Sequence, residues 1–391
     1  MRSVAAIALA IGLTVTMQWS ALAVTGEKAE FKKVADDVYA FIGKLNDANA
    51  LVVVTSQGVV VVDTGNNPPE TRILQQFIRS VTQEPVRYVI ITQNHGDHTG
   101  GTPLFAPPAT VIVHDRVAKD WASWKPYQVK SWRLRFRERA DALKNVHPLD
   151  NVVTFSERMT LKLAGKTIEL LYVDDPYNPG DIAVWLPESG VMHAGFVGYI
   201  DRHPDIRPDY SHGTTGGMLR QLDAFSALKP QVMIPAHGPL GDVKDLHALN
   251  DYLLLARKKV LAMMQQGLSL DEIIKQFHMN EYKGWDRESH FAWLAETLHR
   301  ELQGQGPQIV PLVEQRLAGT ILQVGQEGRR LTVKTEAGQE VRLRITSDTD
   351  IEGAADRSQL KAGMKARALY VVPQGANAAL GFDVYELTVA P

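Results

Sequence analysis

Thr92-Gln93-Asn94-His95-Gly96-Asp97-His98-Thr99-Gly100-Gly101 is the stretch on which the fold turns. Two imidazoles and a carboxylate fall within four residues. They come directly after Tyr88-Val89-Ile90-Ile91, a short apolar run of the kind that forms a buried strand. Such polar groups are costly to hold in a core and natural around a metal ion. The closing glycines, Gly100 and Gly101, let the chain turn tightly while the side chains converge. A lone histidine would read as surface or core; a His-x-Asp-His-x-Gly-Gly cluster reads as a ligand set.

Working outward, the flanks alternate between β and α patterns. Strands are expected at Val38 to Ile42, Ala50 to Thr55 and Val59 to Asp63, with a hairpin at Ser56-Gln57-Gly58. Asp63-Thr64-Gly65 closes the third strand, and Pro68 to Val81 has the pattern of an amphipathic helix. Arg87 to Thr92 leads into the cluster, and a further strand follows at Thr110 to Val113. Lys119 to Leu143 is long and charged and carries Trp121, Trp124, Tyr127, Trp132 and Phe136. It reads either as helix packed on the core or as a flap whose aromatics line a cleft. Strands resume at Met159 to Leu163, Thr167 to Val173, Ile182 to Leu186 and Val191 to Ala194. Helices are expected at Gly217 to Leu228, Leu246 to Gln266, Leu270 to Phe277 and His290 to Gln303.

A chain of 391 residues exceeds one compact core. The texture changes at Gln305-Gly306-Pro307, beyond which five short strands are expected in a small barrel of the OB type. The division is therefore a signal segment at 1–23, a first domain at 24–305, folding by itself, and a β-domain at 306–391. Arg2, the apolar run from Val4 to Met17 and Ala21-Leu22-Ala23 form an export leader, with an uncleaved anchor as the rival. The run is too short to span a bilayer comfortably, so no membrane span is expected after cleavage and the product is periplasmic or secreted. The absence of cysteine excludes disulfides and thiolate metal sites. A net charge of -2 argues against a nucleic-acid partner. A small-molecule substrate is expected instead, and the oligomeric state is left open.

The cluster resembles the signature of the metallo-β-lactamase superfamily, which runs His-x-His-x-Asp-His after a strand. Asp63-Thr64-Gly65 is similar to the family's early Asp-Thr-Gly, and Pro235-Ala236-His237-Gly238-Pro239 to its late Pro-x-His-Gly. The resemblance covers most of residues 35 to 300 and implies an αββα sandwich with the site at the edge where strand ends meet. It assigns Asp97, His98 and His237 to one metal position, with Asp63 supporting them.

Three positions depart from the family pattern. Gln93 stands where the family has its first histidine, Tyr177 where it has another, and Phe196 where an acid bridges two metals. The first metal position keeps only His95 and Gln93, and a tyrosine with a phenol pKa of about 10 is a poor zinc ligand at neutral pH. The resemblance thus implies one zinc per chain, held by Asp97, His98 and His237, with hydroxide made from its bound water. Asp97 and His95 are then catalytic as well as ligand candidates, while Gln93, Tyr177 and Asp63 support the site or meet substrate. Asp175 or Asp181 could replace a missing ligand. The implied function is hydrolysis of a small ester, lactone, amide or similar bond. A metal-poor binding protein of the same fold is the rival. A mononuclear iron oxygenase comes third, because the family's iron ligands would fall on Tyr177 and Phe196.

Overall fold

The computed structural model describes residues 29–390 apart from 44–47, 66–67, 120–151, 175–176, 179, 207–213, 306–311, 326–327, 329, 346–348 and 374–381. The expected leader, almost all of the aromatic segment at Lys119 to Leu143, Asp175 and most of the linker therefore lie outside the described residues.

The first sheet has seven strands in sequential order: β1 (Glu30–Ala35), β2 (Val38–Ile42), β3 (Ala50–Thr55), β4 (Gly58–Val62), β5 (Val86–Ile91), β6 (Thr110–His114) and β7 (Val153–Phe155). The early pairs are antiparallel, while β4, β5, β6 and β7 run parallel. The second sheet is ordered β12-β11-β10-β9-β8, from β8 (Arg158–Leu163), β9 (Lys166–Tyr172), β10 (Ile182–Leu186), β11 (Val191–His193) and β12 (Val232–Ile234). Within it only the β11–β12 pair is parallel.

Side-chain alternation explains why both sheets are covered on two faces. Val60 and Val62 of β4 meet Ile182, Val184 and Leu186 of β10 in the layer between the sheets. Val59 and Val61 point the other way, onto Leu74 and Ile78 of α1 (Pro68–Val81). Ala183 and Trp185 point onto the opposite helical layer of α3 (Thr215–Ser226), α4 (Val243–Gln265), α5 (Leu270–Gln276) and α6 (Phe291–Leu302). The result is the αββα sandwich. The one-turn α2 (Gly96–Thr99) lies in the motif itself.

After α6 the chain enters β13 (Leu312–Gly325), followed by β14 (Arg330–Thr335), β15 (Glu340–Arg344), β16 (Asp350–Glu352), β17 (Lys365–Pro373) and β18 (Phe382–Ala390). Five of these close a ring in the order β13-β14-β15-β18-β17, the closure being the parallel pairing of β15 with β18. Leu317, Ile321, Leu331, Val333, Val341, Leu343 and others fill its interior, so the barrel has a core of its own. It also touches the first unit: the Arg344 guanidinium lies 5.2 Å from the centre of the Trp293 ring on α6.

Parallel pairing positions the site. Because β4 and β5 run together, as do β11 and β12, their C-terminal ends emerge at a common edge. In open α/β sheets ligands bind beyond such strand ends. Asp63 follows β4, Gln93 to His98 follow β5, Phe196 follows β11 and His237 follows β12. The antiparallel β3 and β10 begin at the same edge, bringing Asn49 and Asp181 there.

Candidate metal centre

Asp97, His98 and His237 converge, with one ligand atom from each lying within 4.8 Å of the others. Asp97 Oδ2 is 2.8 Å from His237 Nε2 and 3.8 Å from His98 Nε2. Asp97 and His98 come from α2, whose first turn is reached one residue after His95. Gly101 makes this loop possible, since a Cβ there would collide with the Thr64 carbonyl oxygen and the Thr71 side chain.

Behind the trio is a buried polar support. His98 Nδ1 donates to Asp63 Oδ2 at 2.5 Å, which leaves Nε2 facing Asp97. Asp63 is in turn fixed by the Thr92 backbone N–H at 2.8 Å and the Thr92 hydroxyl at 2.7 Å. It holds a left-handed backbone with φ of 60°, a conformation aspartate tolerates better than most residues. His193 closes the support from below: its Nε2 donates to the Asn49 carbonyl at 3.3 Å, and its Nδ1 accepts from Gly195 N–H at 3.2 Å. That pair of bonds fixes the neutral tautomer, and burial likewise pushes the His193 pKa down. Burial opposes charge on His98 too, but the carboxylates of Asp63 and Asp97 outweigh it and raise its pKa. For Asp97 burial works against ionisation, yet His98 and His237 prevail and hold the carboxyl well below its ordinary range.

The other half of the site looks different. Tyr177 is fully buried, and its ring stacks on Phe196 with centroids 4.9 Å apart. Tyr199 meets Phe196 edge-on at 5.5 Å. His95 is not brought to the trio; its ring stands edge-on to Phe196 at 5.4 Å. Gln93 is fully buried, with Nε2 2.5 Å from His98 Nε2 and Oε1 accepting from Asn178 Nδ2 at 3.5 Å. Asp181 accepts from Asn178 N–H through Oδ2 at 3.2 Å, while its Oδ1 has no hydrogen-bond partner among the described residues. Burial pushes the Asp181 carboxyl well above its ordinary pKa. Asp181 thus lies behind Asn178 and outside the trio.

One residue that the sequence reading passed over proves central. Asn49 donates through Nδ2 to the carbonyls of Pro235 at 2.9 Å and Gly238 at 3.0 Å. Its backbone N–H reaches the Ala236 carbonyl at 2.8 Å, and its Oδ1 accepts from Gly43 N–H at 3.1 Å. Asn49 therefore ties the His237 loop of one sheet to the start of β3 in the other. Thr92 was passed over likewise.

Ligand atoms around a tetrahedral zinc at about 2.0–2.1 Å lie roughly 3.3 Å from one another. The 2.8 and 3.8 Å separations straddle that value, so these donors suit the ion once the Gln93 amide, 2.5 Å from His98 Nε2, moves aside. Two imidazoles and a carboxylate are also the donor set such an ion uses.

Known proteins agree with this architecture. A linear primary-alkylsulfatase from Pseudomonas sp. is 20% identical over 290 residues, 63% of this chain and 54% of its own length. A metallo-β-lactamase type 2 from Bacillus sp. is 22% identical over 205 residues, 52% of this chain and 71% of its own. The solved structure of a stereoselective inverting sec-alkylsulfatase from Pseudomonas sp. shares the fold, with a TM-score of 0.56 at 16% identity. That match covers 71% of this chain and 50% of the other. The chain thus spans about half the length of the alkylsulfatases it matches. A family profile described as the metallo-beta-lactamase superfamily matches residues 43–237, a span that starts before β3 and ends on His237. With the sandwich, the strand-end site and this match in agreement, the chain belongs to the metallo-β-lactamase superfamily.

Proposed function

We propose that this protein is a hydrolase that uses a single zinc ion, held by Asp97, His98 and His237, to cleave a small ester, lactone, amide or similar bond. The observation that carries the reading is the convergence of those three side chains on a buried Asp63–His98 pair. When bound, zinc supplies a Lewis acid and a water acidified to a pKa of about 7. The protein's own groups do the rest. Asp63 holds His98 in one tautomer and orientation, the kind of support that raises ligand basicity. His95 sits on the aromatic wall of the site, partly exposed, where it can donate a hydrogen bond or proton to substrate. Tyr177 and Phe196, stacked on each other, offer neither an imidazole nor a carboxylate where the family resemblance expects them, which favours one metal over two.

The reading also includes export and two units. The leader at 1–23 would deliver the chain to a periplasmic or extracellular compartment, and the β-domain at 306–391 would fold around its own core. No helix among the described residues is long and apolar enough to cross a membrane.

A metal-poor binding protein of the same fold is the second reading, favoured by the seat of Gln93 on His98. Metal analysis of protein purified without added metal separates the two when paired with a substrate panel. The panel includes an aryl ester, a lactone, a β-lactam and, given the alkylsulfatase relative, an alkyl sulfate. About one zinc per chain with turnover of any member is the expected result. No metal and no turnover sinks the hydrolase; two tightly held zincs sink the mononuclear site.

A further inference from the structure

The atom that a metal would take from His98 is already in use. With Nδ1 committed to Asp63, Nε2 is the ring atom left for an ion shared with Asp97 and His237. The Gln93 carboxamide lies 2.5 Å from that same Nε2, and both side chains are fully buried. The amide orientation follows from its partners: Nε2 of His98 accepts from the Gln93 NH2, and the Gln93 oxygen accepts from Asn178. Gln93 is held at its far end as well, by Asn178 Nδ2 at 3.5 Å, and Asn178 is anchored through its backbone to Asp181. The buried Tyr177 and Phe196 rings stack on each other, and His95 stands edge-on to Phe196.

We propose that Gln93 is a positioning residue that competes with the metal for His98 Nε2 and so sets the metal affinity below what the trio alone would reach. The proposal rests on the reading that Asp97, His98 and His237 hold the ion. One nitrogen cannot serve both partners, so metal binding breaks the buried hydrogen bond between the amide and His98. Leaving a buried amide without a partner is unfavourable, and that loss is subtracted from the binding of the ion. Metal occupancy becomes readily reversible and responsive to the free zinc concentration.

Metal-free full-length protein titrated with zinc chloride against a chromogenic chelator tests this without reference to activity. Gln93→Met keeps most of the volume and removes the amide, and it should bind zinc about tenfold tighter, or about 1.4 kcal/mol. Gln93→Asn is one methylene too short to reach the ring, and Asn178→Ala frees the far end; both should tighten binding by smaller factors. These two variants carry the test if Gln93→Met does not fold. Affinity that is unchanged overturns the proposal. Affinity that weakens also overturns it, because Gln93 would then be a ligand. Asp97→Ala separates the two levels of inference. If it binds zinc as the parent does, the metal centre itself is misassigned. If it loses zinc while the Gln93 variants bind no tighter, only the competition fails.

Discussion

The two halves of this site meet at Gln93, and they have been treated in opposite ways. On one side the ligand trio is backed by a continuous polar support running from His98 through Asp63 and Thr92, with His193 and Asn49 beneath. On the other side, where the family resemblance expects a further histidine and an acid, stacked rings stand instead, with Tyr177 fully buried and Phe196 nearly so. Buried charged groups are held only at a desolvation cost, and replacing them by well-packed apolar groups of similar volume is often neutral or stabilising. The vacated half follows that rule. The ligand half holds its buried charges together with the groups that satisfy them, the Asp63, Thr92 and His98 hydrogen bonds above all, an arrangement that packing alone does not require.

The sharpest way to break this contrast is to remove a ligand. His237→Ala or Asp97→Ala should weaken zinc binding on the order of a thousandfold, read by metal titration, because two protein ligands hold the ion poorly. Binding close to that of the parent would mean the trio is not the centre. A constructive test comes next: Gln93→His, Tyr177→His and Phe196→Asp together should raise zinc from about one to about two per chain. A stoichiometry that stays at one would show that packing, and not ligand identity, closes the second position. Tyr177→Ala should cost about 3–5 kcal/mol in a urea or thermal melt of the metal-free protein while leaving zinc affinity nearly unchanged. A fall in affinity as large as the fall in stability would give Tyr177 a place in the metal centre. Asp63→Asn should lower zinc affinity roughly 10- to 100-fold, through the tautomer and orientation of His98. The smallest expected change is in His95→Ala: metal affinity within about threefold of the parent, with reduced turnover on any substrate found. Stripping of the metal by this change would move the centre toward Gln93 and Tyr177.

Much of the fold is legible in the sequence because its signals are local. The spans expected for β2, β3 and β10 and for α1 coincide with the structure, since apolar alternation and turn residues mark them directly. The five barrel strands are marked in the same way, but the pattern begins only at Gly319 within the longer β13, and the three-residue β16 carries too little pattern to see. The strands missed in the sandwich are β1, β7 and β12. β1 is charged and, among the described residues, pairs with β2 alone, while β7 and β12 have three residues each. The ligand cluster is legible because Asp97 and His98 are neighbours, and His237 enters through its Pro-x-His-Gly surroundings. Asn49 is not legible: its hydrogen bonds to Pro235 and Gly238 span 186 and 189 residues of chain, and nothing near it hints at them. Nor does the identity of Gln93 reveal that it sits on His98 Nε2, which only the folded geometry shows.

Asn49 also makes the site a gauge of how the two sheets sit against each other. Its side chain and backbone grip the His237 loop, while the strand it starts belongs to the sheet that carries Asp63, Asp97 and His98. A slip of one sheet past the other by an ångström would break that grip and spread the ligand trio in the same movement. Sheet sliding and metal escape are then a single cooperative event, and slow exchange of the Asn49 amide hydrogen becomes a clock for both.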